Sequence, residues 1–227
     1  MQRRYDVVIW DLDGTILDTL TDLAISINYA LEQTGLLQHT VDEIQYFIGN
    51  GIPKAIERAI RPIEDLAVAA DVLARFTAHY REHCMDHTFP YEGIPEVLAQ
   101  VKEAGAQLAV VSNKADYAVQ TLIDLRFPGI LDAVVGIGEG MRQKPAPDAP
   151  NKALSILAKQ AQKPIKRLVS SAVLIGDSDV DIQTARNAGV KEVSVSWGFR
   201  GRTFLEAHGA KRIVDTPKEL QDLLLQQ

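Results

Sequence analysis

The chain has 227 residues, of which 46% are hydrophobic and 24% are charged, which is typical of a globular protein and excludes long disordered or coiled-coil segments. The net charge of −6 argues against a broad nucleic-acid surface, because such a surface needs a basic face. The single cysteine, Cys84, excludes an internal disulfide, and no apolar run is long enough for a membrane span or a signal peptide, so we expect a cytoplasmic protein.

Short unbroken apolar runs predict strands that are buried on both faces, as in a parallel sheet. They cover residues 7–10, 108–111, 133–135, 172–175 and 193–195. Helical patterns lie between them, at residues 94–104, about 150–160 and 180–188. This alternation is typical of an open α/β sheet with right-handed crossovers.

The stretch between the first two predicted strands has a different, helical character. A first apolar stripe runs from Leu20 to Leu31, and Gly35 ends it. A second stripe comprises Leu66, Ala70, Leu73, Thr77, Tyr80 and Cys84. We therefore expect a Rossmann-like parallel-sheet core formed by residues 1–16 and 90–227, with an inserted α-helical cap domain at residues 17–89.

Polar residues follow the apolar runs at the points where strands end. The candidates are Asp11, Asp13, Ser112, Asn113, Lys144, Asp177 and Asp181. Because ligands bind open α/β sheets outside the carboxyl ends of the strands, these side chains are expected to surround one pocket. The segment Ser112–Asn113 has a second interpretation, namely that these residues cap the following helix.

Several carboxylates that face one another repel, so the cluster needs a cation. Oxygen-only ligands favour Mg²⁺, which one or two carboxylates hold together with a substrate phosphate. Asp11 and Asp13 lie two residues apart in an extended segment and point the same way. One can therefore stay ionised and attack phosphorus, while its crowded neighbour holds a proton for acid–base work.

Four short motifs occur in order along the chain. They are Asp11-Leu12-Asp13-Gly14-Thr15, Ser112-Asn113, Lys144 before Pro145, and Gly176-Asp177-Ser178-Asp179-Val180-Asp181. Together they resemble the motifs of the haloacid dehalogenase superfamily over essentially the whole chain, and the phosphoglycolate phosphatase-like members most of all. Trp10 departs from the family pattern, in which phenylalanine more often precedes the first aspartate.

The resemblance implies a role for each motif residue. Asp11 corresponds to the nucleophile, Asp13 to the general acid/base, and Lys144 to the cation that steadies the transferring group. Asp11, the Asp13 carbonyl and Asp177 correspond to the Mg²⁺ ligands, with Asp181 behind them. Ser112, Asn113 and Lys144 correspond to the phosphate-binding residues.

The implied activity is Mg²⁺-dependent hydrolysis of a small phosphate monoester, 2-phosphoglycolate first, through an aspartyl-phosphate. Asp13 favours ester hydrolysis, because dehalogenases of this superfamily lack the second aspartate. Pyrophosphate, a nucleotide or a sugar phosphate are alternative substrates, and a phosphoglucomutase shares the same motifs. A non-enzymatic phosphoacceptor switch is the alternative from another class, although receiver domains of that kind are about half as long.

The resemblance also places a substrate loop in the cap, with Gly49, Asn50, Gly51 and Lys54 as its candidate residues. Arg58 and Arg61 follow on the same helix face and could also meet a substrate carboxylate, or form a solvated face with Glu57 and Glu64. His79, His83 and His87 share a helix face, which is interpreted as a surface or interface rather than a zinc site. The expected partner is a small phosphorylated metabolite, with no nucleic acid and no membrane, and the chain is expected to be a monomer or homodimer.

Overall fold

A computed structural model describes residues 2–226 of the chain. It divides into two compact units, a sheet unit of Met1–Leu17 and Pro90–Gln227 and a helical unit of Asp18–Phe89. The sequence placed these boundaries after residues 16 and 89. No helix among the described residues is both long enough and apolar enough to cross a bilayer.

Eight strands follow one another within residues 2–226. They are β1 (Val7–Trp10), β2 (Leu17–Asp18), β3 (Phe89–Pro90), β4 (Gln107–Ala115), β5 (Ala133–Ile137), β6 (Ala172–Gly176), β7 (Lys191–Val195) and β8 (Ile213–Val214). Six of them form a parallel sheet in the order β5-β4-β1-β6-β7-β8. The α/β fold class and the five predicted strands are therefore confirmed.

The centre of the sheet is β1, whose four residues are all buried. Trp10 is in register with Val110 on one side and with Ile175 on the other. Because the three strands are parallel, the residues that follow them reach the same edge of the sheet. This register is what gathers the polar motifs.

Strand β4 extends four residues beyond its predicted end and includes Ser112 and Asn113. Its pairing with β5 shifts register between Val111 and Ala115, and such irregularities re-aim side chains near functional sites. The following helix has Ala115 as its N-cap and no side-chain cap bond. The alternative role of Ser112 and Asn113 as helix caps is therefore wrong.

Helices flank the sheet within the sheet unit. Because four helices of the helical unit come first in the chain, the helices of the sheet unit are numbered from α5. They are α5 (Ile94–Glu103), α6 (Asp116–Arg126), α7 (Asp148–Ala161), α8 (Ile165–Ser170), α9 (Asp179–Ala188), α10 (Gly201–Ala207) and α11 (Pro217–Leu225). Leu154 and Leu157 of α7 pack in one apolar cluster with Ile9 and Leu174 of the central strands. This buried cluster fixes the strands whose ends carry the polar residues.

The helical unit contains α1 (Leu20–Gln33), α2 (Val41–Phe47), α3 (Ile52–Ala59) and α4 (Leu66–His83). Both predicted helices are present, but α4 buries a different face in its first half. Leu66 of the predicted stripe is 84% exposed, while Val72 and Phe76 are buried in line with Tyr80. Two offset stripes satisfy helical spacing here, and packing against α1 selects one of them.

A buried carboxylate ties the two ends of the helical unit together. Asp22 in α1 accepts hydrogen bonds from the backbone N–H of His87, at 2.9 Å, and from the Thr88 hydroxyl, at 2.8 Å. The His87 ring adds Nδ1 at 2.9 Å from Asp22 Oδ1. His87 is thus held by α1 rather than aligned with His79 and His83.

Candidate active site

The pocket-edge residues of the sheet unit meet around one buried lysine. Lys144 Nζ lies 2.7 Å from Asp11 Oδ1 and 2.7 Å from Asp181 Oδ1. The side chains of Lys144 and Asp181 are 3% and 2% exposed, so water screens these charges very little. The structure therefore brings together Asp11, Lys144 and Asp181, which are up to 170 residues apart in the chain.

Asp177 joins this cluster from the end of β6. The backbone N–H of Phe199 donates to Asp177 Oδ2 at 2.7 Å, and the Thr15 hydroxyl donates to Oδ1 at 3.3 Å. Trp197 in turn donates its indole N–H to the Thr15 carbonyl at 3.1 Å. The Asp177 carboxylate is thus oriented by two separate segments of the sheet unit, at Thr15 and at Phe199, and Trp197 links the two.

Two carboxyl groups of the cluster, those of Asp11 and Asp177, have pKa values above that of an ordinary aspartate. Burial raises the pKa of Asp11 well above its usual value, and the charge of Asp181 raises it further against the opposing effect of Lys144. Burial and the charge of Asp181 raise the pKa of Asp177 to about 7, although the Phe199 N–H opposes this. The site has more carboxylates than its cations can neutralise.

Burial would lower the pKa of Lys144, but the charges of Asp11 and Asp181 outweigh burial and hold that pKa above its ordinary value. Lys144 therefore stays charged at neutral pH. Its ammonium group is the fixed positive charge between the two carboxylates.

Asp181 is oriented from within its own helix. The Ser178 hydroxyl donates to Asp181 Oδ2 at 2.6 Å, while Ser178 is also the N-cap of α9. Asp179 is the first residue of α9 and is only half-buried. The motif therefore uses its one serine, Ser178, to orient its last aspartate.

Two glycines allow backbone segments to approach Asp177 closely. A Cβ atom on Gly14, whose φ is +81°, would lie 2.5 Å from Asp177 Oδ2. A Cβ atom on Gly198 would lie 2.2 Å from the Gly14 carbonyl oxygen. Only glycine fits at these two positions without moving the carboxylate.

Asp13 forms an ion pair with Lys114, a residue that is not among the candidates from the sequence. Lys114 Nζ lies 3.0 Å from Asp13 Oδ1, and the lysine side chain is 5% exposed. The sequence was sufficient to place Lys114 at this site, because Lys114 lies two residues after Ser112 in an extended strand and shares its face. Thr15, Ser178 and Phe199 were missed for another reason, since their roles depend on contacts that only folding creates.

Ser112 and Asn113 contact different parts of the site. Ser112 is buried, and its hydroxyl accepts the backbone N–H of Lys114 at 3.1 Å. The Asn113 amide accepts the Lys144 N–H at 2.7 Å and donates to the Lys144 carbonyl at 3.1 Å. Asn113 therefore holds the backbone of Lys144 in place.

The donor set fits a hard divalent cation. Among residues 2–226, the one group of three such side chains able to converge on an ion is Asp11, Asp177 and Asp181, with one oxygen of each within 4.8 Å of the others. All three are buried, and the raised pKa values of Asp11 and Asp177 show that added positive charge would be favourable there. Asp181 thus belongs to this group of three, whereas the family resemblance places it behind the ligands.

The expected substrate loop lies in the helical unit, between α2 and α3. Gly49 and Gly51 have φ values of 125° and 81°, which other residues rarely adopt. The Arg58 guanidinium donates to Asn50 Oδ1 and to the Phe47 carbonyl, both at 2.7 Å. Arg58 thus fixes the loop, whereas Lys54 pairs with Glu57 on the surface.

The histidines of α4 form a stacked column. The rings of Tyr29 and His79 are 4.1 Å apart, and those of His79 and His83 are 4.3 Å apart. His79 also contacts the Ser26 hydroxyl at 3.0 Å, and His83 contacts Asp86 at 2.8 Å. These contacts are those of a packed surface, and the three-residue metal group found in the described chain lies elsewhere.

Comparison with known proteins gives one consistent family. Residues 8–195 match the model of the haloacid dehalogenase-like hydrolases. The phosphoglycolate phosphatase of Aquifex aeolicus is 31% identical over 194 residues, which cover 85% of both chains. That of Caulobacter vibrioides is 33% identical and covers 96% of this chain and 91% of its own.

A solved structure is similar over almost the full length. A candidate phosphoglycolate phosphatase from Lactobacillus delbrueckii subsp. bulgaricus superposes with a TM-score of 0.90 at 38% identity. The match covers 99% of this chain and 100% of that one. Its extent includes both the sheet unit and the helical unit.

Proposed function

The chain belongs to the haloacid dehalogenase-like hydrolase family and is a phosphoric monoester hydrolase, and we propose that it hydrolyses 2-phosphoglycolate to glycolate and phosphate. The observation that carries the reaction is the buried contact of Asp11 with Lys144, beside Asp177 and Asp181. The choice of substrate is supported by the names of relatives that are 31% and 33% identical.

We propose Mg²⁺ as the cation, with carboxylate oxygens of Asp11, Asp177 and Asp181 as candidate ligands and the Asp13 carbonyl as a further one. When bound, Mg²⁺ supplies positive charge that lets a phosphate dianion approach these carboxylates. Oxygen-only donors of this kind favour a hard cation over zinc or copper.

In the proposed reaction, a carboxylate oxygen of Asp11 attacks phosphorus and the bond to the glycolate oxygen breaks. Lys144 holds the Asp11 carboxylate in position and stays charged beside the transferring group. Ser112 and Asn113 lie near the carboxyl end of β4, beside the same site. Asn113 holds the backbone of Lys144 in position. The product of this step is an aspartyl-phosphate on Asp11.

Proton transfer is assigned to Asp13. The leaving alkoxide takes a proton from the Asp13 carboxyl group, which becomes a carboxylate. The Lys114 ammonium, whose Nζ lies 3.0 Å from Asp13 Oδ1, stabilises that carboxylate. Asp13 then accepts a proton from the water that attacks the aspartyl-phosphate, which releases inorganic phosphate.

Substrate selection is assigned to the loop of the helical unit, on the strength of the family resemblance. Arg58 gives this loop one conformation through Asn50. Lys54 keeps its proposed role, because both partners of its pair with Glu57 are about half exposed and such pairs contribute little to stability. We also propose a cytoplasmic location, since a chain with one cysteine has no internal disulfide for an oxidising compartment to maintain.

The test replaces Asp11 by asparagine and measures release of inorganic phosphate from 2-phosphoglycolate with Mg²⁺. We expect kcat to fall by at least about 10⁴-fold, because the amide is a poor nucleophile. Asp179→Asn is the matched control, since it makes the same change in charge at a helix start and should keep kcat within about twofold. An active Asp11→Asn variant would end the nucleophile assignment.

A substrate panel decides specificity in the same assay. It contains 2-phosphoglycolate, pyrophosphate, a nucleoside monophosphate and glucose 1-phosphate. A higher kcat/KM for another member would replace the proposed substrate, and conversion of the sugar phosphate without phosphate release would indicate a mutase. A single phosphorylation without turnover would indicate a phosphoacceptor switch.

A further inference from the structure

A cavity with several charged lining residues lies in the sheet unit, away from Asp11, Asp13, Lys114, Lys144, Asp177 and Asp181, which we call the catalytic cluster. Its volume is ≈ 290 Å³, and its lining includes Tyr5, Arg186, Lys191, Glu192, Lys211 and Arg212. Tyr5 precedes β1, Lys191 begins β7, and Arg212 directly precedes β8. Because these strands are parallel, the cavity lies at their N-terminal ends, opposite to the edge that carries Asp11 and Asp177.

The lining of this cavity is strongly basic. Four cations, Arg186, Lys191, Lys211 and Arg212, face one carboxylate, Glu192, in a chain whose net charge is −6. Glu192 is already occupied, because it accepts the Ser194 hydroxyl and, at 3.3 Å, the Lys211 backbone N–H. None of the four cations forms an ion pair with a carboxylate of residues 2–226.

Two of the cations are held in position. Arg186 donates one N–H to the Gly209 carbonyl at 2.8 Å, which leaves the other donors of its guanidinium for a ligand. Lys191 Nζ lies 5.4 Å from the ring centroid of Tyr5, a residue that is 6% exposed. Positive charges gathered in this way repel one another until an anion joins them.

We propose that this cavity is a binding site for a small polyanion of the phosphate class. Arginine forks and lysine ammonium groups are the side chains that recognise phosphate oxygens, and the cavity presents two of each. A ligand with two or more negative charges matches its excess of three positive charges. This site is separate from the proposed phosphatase reaction and does not depend on it.

The experiment is calorimetric titration of the full chain with inorganic pyrophosphate in EDTA. Without a divalent cation the catalytic cluster has four aspartates beside Lys114 and Lys144, so it offers a polyanion no excess of positive charge. We expect binding of one pyrophosphate per chain. Absence of binding at millimolar pyrophosphate would overturn the proposal, as would equal affinity for citrate, which carries similar charge without phosphate.

The variant Lys191→Gln/Lys211→Gln/Arg212→Gln locates the site. We expect its affinity for pyrophosphate to fall by at least about tenfold. The control Lys159→Gln/Lys163→Gln/Lys166→Gln removes the same three charges at exposed positions of the same unit and should change affinity by less than about twofold. Equal weakening in both variants would show a general charge effect and overturn the site.

A charge-raising variant keeps the test decisive if the triple variant does not fold. Glu192→Gln removes the one carboxylate of the lining and should tighten pyrophosphate binding severalfold. The kcat of this variant for phosphate release and its Mg²⁺ requirement should equal those of the wild type, because no residue of the cavity belongs to the catalytic cluster. Unchanged or weaker binding by Glu192→Gln contradicts the proposal.

Discussion

Lys144 is the residue on which the electrostatics of the catalytic cluster depend. It lies 2.7 Å from two carboxylates that water hardly reaches, so its removal leaves Asp11 and Asp181 as buried charges without compensation. Removing one partner of a buried ion pair lowers the free energy of unfolding by more than the intact pair contributes to it. If the proposed reaction holds, catalysis and stability therefore both depend on the Lys144 ammonium group.

For Lys144→Met we expect a free energy of unfolding lower by about 3–5 kcal/mol in EDTA, together with loss of phosphatase turnover. Urea unfolding and phosphate release measure the two effects. Lys152→Met, at an exposed position of α7, is the matched control and should stay within about 0.5 kcal/mol of the wild type. A stable and active Lys144→Met variant would contradict the assigned role.

Asp177 gives the protein without a divalent cation a pH-dependent stability. Its pKa is about 7 in the folded state against 3.8 in the unfolded chain, so the folded state binds the extra proton. Stability therefore falls as pH rises from about 4 to about 7. We expect a loss of about 2–3 kcal/mol between pH 5 and pH 8 in EDTA, from this carboxyl group.

Urea unfolding at several pH values checks this expectation, with Asp177→Asn as the comparison. The amide carries no charge at either pH, so the variant should lose less stability than the wild type over the same interval. Parallel curves for the two proteins would show that another group causes the dependence.

At the scale of elements, the loop before α3 is spanned by the side chain of one residue, Arg58. Arg58 on α3 reaches back to the Phe47 carbonyl and to Asn50, so two hydrogen bonds close the turn between Gly49 and Gly51. The sequence predicted this helix face but identified Lys54 as its leading contact. The longer reach and forked donors of arginine explain why Arg58, one turn later, holds the loop.

For Arg58→Met we expect KM for 2-phosphoglycolate to rise about 5–30-fold, while kcat changes less, because the loop loses two charge-assisted hydrogen bonds. Steady-state kinetics separate the two constants. Arg61→Met, at an exposed position two residues past α3, is the matched control and should leave KM unchanged. An equal rise in both variants would point to the general charge of this segment.

At the scale of the whole molecule, the order of the parallel strands decides where charge accumulates. With β1 between β4 and β6, acidic motifs from both halves of the sheet unit end at the same edge. Neighbouring carboxylates at that edge oppose folding unless a cation joins them. Binding of a divalent cation should therefore stabilise the folded chain.

We expect saturating Mg²⁺ to raise the melting temperature by about 5–10 °C over EDTA at equal ionic strength, which corresponds to about 2–3 kcal/mol for a ligand near 100 times its Kd. Thermal unfolding followed by circular dichroism measures the shift, and sodium chloride supplies the matched ionic strength. Asp177→Asn should lose most of it. An equal shift with sodium alone would contradict a specific site.

The sequence by itself determined the α/β class, the central strands and the catalytic motifs. Unbroken apolar runs and the residues that directly follow them are local features, and each motif had the residue types that its chemistry needs. Even the inserted helical segment followed from the absence of strand patterns between residues 20 and 87. Lys114 was also within reach, through its two-residue spacing from Ser112.

Only the tertiary structure decided which partners those residues meet. Phe199 and Thr15 orient Asp177, and Gly14 approaches Gly198, although these residues are distant in the chain. The buried face of α4 was decided by packing, which selected one of two equivalent apolar stripes. The basic cavity at Lys191 and Arg212 arose in the same way, since its cations come from separate elements. Spacing along a chain fixes the face on which a side chain lies, whereas packing in three dimensions fixes what it touches.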